Sequence, residues 1–460
     1  MYQELIKKQR QFFYTDQTKS YEFRINQLEK LEKAIRQYES ALYDAFDKDL
    51  RKSRFEVYST EIGFVLSSIR GVKKRLKGWM KPKRVGNPLF LAGSKSYIIN
   101  EPYGVMLIIG PYNYPFQLTM EPLVGAIAAG NTAVIKPSEL TPHVSGVIRE
   151  MIEKTFGEEY VCVVEGEVEE TTRLLEQRFD YIFFTGSPRV GKIVMEAAAE
   201  NLTPVTLELG GKSPAIVTGD ANAAEAAVKI VWGKFLNTGQ TCVAPDYVLA
   251  DERIKSLLLA EMKKAVRSFY GEDPLQSRDY GRMATVSHWK RVDRLLKASA
   301  GHVVIGGESE ESEKYISPTI LDDVAWEDRM MQEEIFGPVL PVISYAARDF
   351  EKDVIDAVRN REKPLALYLF TRDPEIRKRV IKSLSFGGGV INDTILHLSN
   401  TNLPFGGVGN SGIGSYHGIH GFQAFSHRKS VIEKSELIKL NMLYPPYTVK
   451  NMNLLKKILR

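Results

Sequence analysis

Residues 105–137, VMLIIGPYNYPFQLTMEPLVGAIAAGNTAVIKP, decide the fold. The run VMLIIG (105–110) reads as a strand, FQLTMEPLVGAIAAG (116–130) as a helix closing at Gly130, and TAVIKP (132–137) as a second strand. Short apolar runs joined through a helix mark strands buried on both faces, which is the pattern of a parallel sheet. The alternation continues downstream with a helix at HVSGVIREMIEKTF (143–156), a strand at YVCVVEG (160–166) and a helix at ETTRLLEQ (170–177). It ends with a strand at YIFFTG (181–186), a helix at RVGKIVMEAAAEN (189–201) and a last strand at PVTLELG (204–210). The expected fold class is α/β, with a doubly wound, Rossmann-like sheet whose ligands gather at the carboxyl ends of its strands.

A second α/β unit begins after Gly210. NAAEAAVKIVWGKFL (222–236) reads as a helix, and DYVLADERIKSLLLAEMKKAV (246–266) as strand then helix. PVLPVISY (338–345), FEKDVIDAVRN (350–360), ALYLF (366–370), DPEIRKRVIKSL (373–384) and GGGVIND (387–393) repeat the alternation. Ahead of the first sheet, Leu28, Leu31, Ile35, Tyr38, Leu42, Phe46 and Leu50 recur at helical spacing and predict one buried face of a long scaffold helix. KKRLKGWMKPKRV (73–85) reads as a solvated helix end and loop. KSYIINEPYG (95–104) fits neither sheet pattern and is expected to be an arm or hairpin for subunit pairing, while the basic tail LYPPYTVKNMNLLKKILR (443–460) carries a short amphipathic helix. Surface packing, not membrane contact, is its expected role.

With 460 residues, 43% of them hydrophobic and 26% charged, the chain has the profile of a soluble multidomain protein. Its net charge of +5 is too small for this length to indicate nucleic-acid binding. The start, MYQELIKKQRQFFYTDQ, has no signal-peptide core, and there is no run of 18 apolar residues, so a cytoplasmic location is expected. Two cysteines make neither a disulfide framework nor a zinc cluster, and no metal is expected. Cys162, inside the β-branched run YVCVVEG, reads as a core residue. Cys242 sits in NTGQTCVAPDY (237–247), small and polar, and this setting leaves both a structural role and a nucleophile open.

Several turns carry groups suited to chemistry. FTGSPRVG (184–191) places Gly186 and Gly191 between a strand and a helix amino terminus, where backbone can approach phosphate, although the spacing is not G-x-G-x-x-G. VIKPSE (134–139) puts Lys136 and Glu139 at a neighbouring strand end, a donor and an acceptor for vicinal hydroxyls or else a solvated loop. GPYNYPF (110–116) holds Asn113 in a rigid turn, where its carboxamide either donates to an oxyanion or satisfies the turn. LELGGKSP (207–214) places Glu208 at a strand end, where burial would raise its pKa toward that of a general base. EEIFGPVLPV (333–342) offers Glu334 and Phe336, an acid and a flat ring or a turn and a core aromatic. A thiol at Cys242 would need a helix amino terminus or a cation nearby to enrich its thiolate.

These stretches, together with LPFGGVGNSGIGSYHG (403–418), resemble the aldehyde dehydrogenase superfamily in order and spacing from residue 110 to 418. NYPF, QTCVAPDY and SGIGSYHG look most similar to its class 3, fatty-aldehyde branch. The resemblance implies that Cys242 is the nucleophile, Glu208 the general base, and Asn113 with the backbone N–H of Cys242 the oxyanion hole. It implies NAD or NADP as cofactor. Gly186, Ser187, Pro188, Arg189, Val190 and Gly191 would line the pyrophosphate, Lys136 and Glu139 would bracket the adenosine ribose, and Glu334 and Phe336 would hold the nicotinamide ribose and ring. Trp232 would border the aldehyde tunnel or sit in the core. The implied layout has residues 1–84 and 103–207 as dinucleotide-binding domain and 208–404 as catalytic domain. Residues 85–102 and 427–437 would be the β oligomerisation arm of a homodimer, and 438–460 the tail. The implied reaction is oxidation of a medium- or long-chain aliphatic, or aromatic, aldehyde to its acid through a cysteine thioester. An acylating relative that hands the acyl group to coenzyme A has no use for Glu208. A cysteine hydrolase would need a histidine such as His417 or His420, and an idle binding protein would have no need of Cys242, Glu208 and Asn113 together.

Overall fold

The computed structural model describes residues 2–435 and 443–458. The Tyr21–Leu50 helix forms where Ser20 caps it, its side chain accepting from the N–H of Phe23, and its Leu28, Leu31, Ile35, Leu42 and Phe46 face is fully buried. Tyr38, expected on that face, is only partly buried. The helix packs against the Pro142–Thr155 helix on one face of a six-stranded sheet.

That sheet runs, in spatial order, Gly412–Ile413, Val205–Glu208, Tyr181–Thr185, Val105–Ile109, Thr132–Lys136, Val161–Val163. Five strands are parallel. Every residue of the Val105, Thr132 and Tyr181 strands is buried, as their unbroken apolar character requires. The chain builds outward from Val105–Ile109 in one direction, then returns to its other side with Tyr181–Thr185. This reversal opens a crevice at the carboxyl ends of those two strands. The Gln117–Ala129 helix that follows the first strand is buried along its whole length and ends at Gly130 in the left-handed region (φ 94°).

A seven-stranded sheet runs His302–Ile305, Thr319–Asp322, Val339–Tyr345, Tyr247–Asp251, Pro214–Val217, Ala366–Phe370, Gly388–Ile391, parallel except for its first strand. Residues 95–102 form the middle of a three-stranded antiparallel sheet with Lys83–Val85 and Ser426–Glu433. Residues 436 and 437 of the expected arm and 438–442 of the expected tail lie outside the described residues. The tail's helix spans Val449–Ile458.

Several details differ from the sequence reading, among them the unpredicted Val286–Ala298 helix and the His302–Ile305 and Thr319–Asp322 strands. Lys83–Val85, expected as loop, is a strand, because its register with Ser96–Ile98 supplies backbone partners that its own charged residues do not predict. Pro214–Val217 is an unforeseen central strand, short and following directly on the glycines that end its predecessor. PVTLELG is not the sheet edge: Gly412–Ile413 pairs antiparallel beyond it.

Candidate active site

Asn113 and Gly186 follow the two strands that flank the crevice, and Lys136 ends the next strand. Glu208 is the last residue of its own strand, paired to Thr185. Cys242 arrives from the other sheet, between the Ala223–Phe235 helix and the Tyr247–Asp251 strand. The carboxyl edge of one sheet therefore faces the loop that leads into the other.

The Cys242 loop is held from both sides. Asn237 Nδ2 donates to the carbonyls of Asn113 (2.7 Å) and Gln240 (3.1 Å), and Asn113 Nδ2 donates to the Gln240 carbonyl at 2.9 Å. The Tyr114 and Thr241 hydroxyls pair at 2.8 Å. Gln240 bridges to Arg282 and Ala284 backbone. The polar sequence of 237–241 suggested a small, flexible segment. Instead Asn237, Thr238, Gln240 and Thr241 are all buried, with Asn237, Thr238 and Gly239 in successive left-handed conformations (φ 52°, 56° and 72°). Polar side chains serve here because a buried irregular loop has backbone groups that no sheet satisfies. Asn113 thus ties its turn to the Cys242 loop through one N–H, and its carboxamide nitrogen carries a second.

Glu208 is 3% exposed, and neither carboxylate oxygen has a hydrogen-bond partner among the described residues. Burial holds its carboxyl well above the ordinary range. The Cys242 thiol, partly exposed, is likewise pushed up by burial and then by Glu334 and Glu208. The main opposing influences are the backbone N–H groups of Cys242 and Val243, with no lysine or arginine of the described residues among them. Cys162, by contrast, is a core thiol, 7% exposed and approached by Gln9 Nε2 at 3.3 Å.

The residues expected at the cofactor lie along the same edge. Ser187 caps the Pro188–Ala199 helix, its hydroxyl accepting from the Val190 N–H at 3.4 Å, with Gly186 at the strand end and Gly191 buried against Leu209. Arg189 is exposed. Lys136, read as potentially solvated, is 2% exposed, and its Nζ donates to the Pro137 carbonyl and to Glu139 at 3.4 Å. Glu334 folds against Gly210, where any Cβ would collide with its carboxylate, and burial with repulsion from Asp246 raises its carboxyl to about 8. Phe336 meets the Tyr112 ring edge-on at 6.1 Å. A helix amino terminus beside Gly186, a Lys–Glu pair at a neighbouring strand end and an acid over a bare glycine fit a dinucleotide laid along the strand ends.

Behind Cys242 opens a cavity of about 260 Å³, lined mainly by apolar side chains including Phe64, Leu118, Trp232, Ile395 and Phe405. Trp232 borders this cavity at 37% exposure, which settles its place outside the core. The sequence reading assigned no role to Phe64, Tyr114, Thr241 or Ile395, nor to the buried charges Lys52 and Glu61. Tyr114 and Thr241 stand beside singled-out residues, a signal that was there to use. The others come from helices and loops far away in the chain.

The aldehyde dehydrogenase family model matches residues 2–431. A 4,4'-diaponeurosporen-aldehyde dehydrogenase of Staphylococcus aureus is 54% identical over 439 residues, 95% of each chain. A Rattus norvegicus protein named aldehyde dehydrogenase, dimeric NADP-preferring, is 45% identical over 447 residues, 97% of this chain and 98% of its own. The substrate-bound state of Staphylococcus aureus AldH matches with a TM-score of 0.97 and 51% identity over 100% of both chains. The chain belongs to the aldehyde dehydrogenase family, in its class 3-like branch, and oxidises aldehydes to carboxylic acids with NAD or NADP.

Proposed function

We propose that the enzyme acts on apolar aldehydes, medium- or long-chain aliphatic or aromatic, with Cys242 as nucleophile, Glu208 as general base and Asn113 as oxyanion donor. The cavity that ends at Cys242 carries this reading: its walls offer mostly apolar surface, so a hydrocarbon chain gains by entering and a hydrated sugar-like aldehyde does not. Cys242, as the thiolate left when its Sγ proton passes to solvent, attacks the aldehyde carbon; its own N–H with the Asn113 carboxamide stabilises the oxyanion, whose collapse releases hydride from that carbon. The nicotinamide, when bound, supplies the hydride acceptor. Cys242 is left as a thioester, which divides one difficult oxidation into two steps. Glu208, its proton affinity raised by burial, takes a proton from water that attacks the thioester and frees the acid. Gly186 to Gly191 hold the pyrophosphate, Lys136 and Glu139 the adenosine ribose, and Glu334 and Phe336 the nicotinamide end.

A homodimer in the cytoplasm is part of the same proposal. The rat relative is named dimeric, and the outer edge of the Ser426–Glu433 strand has no partner among the described residues. No described helix is long and apolar enough to cross a membrane. The test is an aldehyde panel of increasing chain length, run with NAD and NADP in parallel and including 4,4'-diaponeurosporen-aldehyde, for which the Staphylococcus relative is named. The expected result is kcat/KM rising with apolar length and a free acid as product whether or not coenzyme A is added. A preference for short polar aldehydes, or an acyl-coenzyme A product, overturns it.

A further inference from the structure

Residues 52–61 connect the Tyr21–Leu50 helix to the Gly63–Trp79 helix through a short α turn (Arg54–Val57) and a π turn (Tyr58–Ile62). They bury three ionisable side chains: Lys52, Glu56 and Glu61 are 1%, 11% and 0% exposed. The Lys52 ammonium lies 3.0 Å from Glu61 and 3.9 Å from Glu56. Burial pushes both carboxyls above their ordinary range against the pull of Lys52, a costly arrangement that packed hydrophobic residues would avoid.

The outward contacts of this cluster give a reason for the cost. Glu61 Oε2 accepts from the Gln117 N–H at 2.8 Å, at the start of the helix that follows Asn113. Glu56 Oε1 accepts from the Asn237 N–H at 2.9 Å. Lys52 Nζ stands 4.0 Å over the ring of Tyr114, whose hydroxyl pairs with Thr241. All three reach within five residues of Asn113 or Cys242. Asn237 opens the run of three left-handed residues, and for threonine at 238 that conformation is strained, so it persists only where surrounding contacts enforce it.

We propose that Glu56 is a positioning residue for the nucleophile loop: its carboxylate, steadied by Lys52, anchors the Asn237 N–H and so fixes Cys242 relative to the Asn113 carboxamide. The inference rests on the reading of Cys242 as nucleophile. Removing the anchor lets the loop relax out of its left-handed path, and misplacing a nucleophile slows the bond-forming step more than it weakens cofactor binding.

The test is the single-turnover rate of reduced-nicotinamide formation, with the full-length enzyme in excess over hexanal at saturating NAD. Glu56→Ala is expected to lower that rate ten- to a hundredfold while leaving the KM for NAD within twofold. Glu56→Gln, which keeps an acceptor oxygen, is expected to retain at least a third of it. A wild-type rate in Glu56→Ala, even with a lowered melting temperature, makes the residue merely structural and overturns the proposal. Glu56→Gln as slow as Glu56→Ala overturns it too, because the charge and not the hydrogen bond would then matter. Should Glu56→Ala not fold, Glu56→Asp draws the oxygen back by one methylene; a fivefold or greater loss supports the anchor and an unchanged rate overturns it. Cys242→Ser, run alongside, separates the two readings: cofactor reduction at the wild-type rate in that variant removes the nucleophile assignment itself.

Discussion

Burial makes a negative charge expensive on both Glu208 and Cys242, and the Glu334 and Glu208 carboxylates raise the thiol further. Glu208 is held protonated through the ordinary carboxylate range, and its basic form appears only as pH rises through a pKa well above 4.5. Thioester hydrolysis should accordingly climb with pH above the range where an exposed glutamate has finished titrating. Glu208→Gln should remove that climb and cut steady-state turnover by about 10²–10⁴-fold, while one equivalent of reduced cofactor still forms. Rapid-mix absorbance with acid quantification checks both. Cys242→Ser should abolish dehydrogenase turnover, and Asn113→Ala should lower the rate of reduced-cofactor formation by about 10²–10³-fold, as loss of an oxyanion donor does. These three residues were legible as candidates from their turns and motif order. That burial and two carboxylates would raise the thiol was not, because a loop's surroundings come from distant segments.

Among the elements, the Gln117–Ala129 helix shows how a buried segment can carry its own titration. Glu121 is 4% exposed, its Oε1 accepts from Ser68 at 2.7 Å, and burial raises its carboxyl to about 7. In the unfolded chain the group ionises near 4.5, so folding takes up a proton between about 4.5 and 7 and stability falls as pH rises through that window. Glu121→Gln stays neutral throughout. Its stability relative to wild type should increase by on the order of 3 kcal/mol between pH 4.5 and pH 8, read from denaturant midpoints at the two pH values. The Thr132–Lys136 strand leads to Lys136 and Glu139 at the proposed cofactor edge, where a 2′-phosphate would meet the Glu139 charge. Glu139→Gln should improve kcat/KM for NADP about fivefold relative to NAD, about the worth of one partly exposed charge contact. Most strands of the six-stranded sheet and their helices were legible from apolar runs and turns, whereas Pro214–Val217, His302–Ile305 and Thr319–Asp322 of the seven-stranded sheet were not. Lys83–Val85 and Gly412–Ile413 were not, because edge strands take their identity from a partner.

For the whole molecule, the open edge of the Ser426–Glu433 strand is the feature that asks for a second copy, with Ile432 54% exposed on it. Sedimentation velocity should give a dimer, and Ile432→Lys should shift it toward monomer at the same concentration without altering the far-ultraviolet circular dichroism. The sequence by itself determined the α/β class, the alternation of most strands and helices, and the glycine, lysine and glutamate at their turns. Those features are local: periodicity and turn chemistry are written in neighbouring residues. Only the tertiary structure decided that NTGQTCVAPDY is a buried, anchored loop and not a flexible one, that Lys136 is buried, and that charges from residues 52–61 stand behind the cysteine. A segment's polarity says what partners it needs, but which distant groups meet that need, and at what cost in desolvation, is settled only when the chain packs.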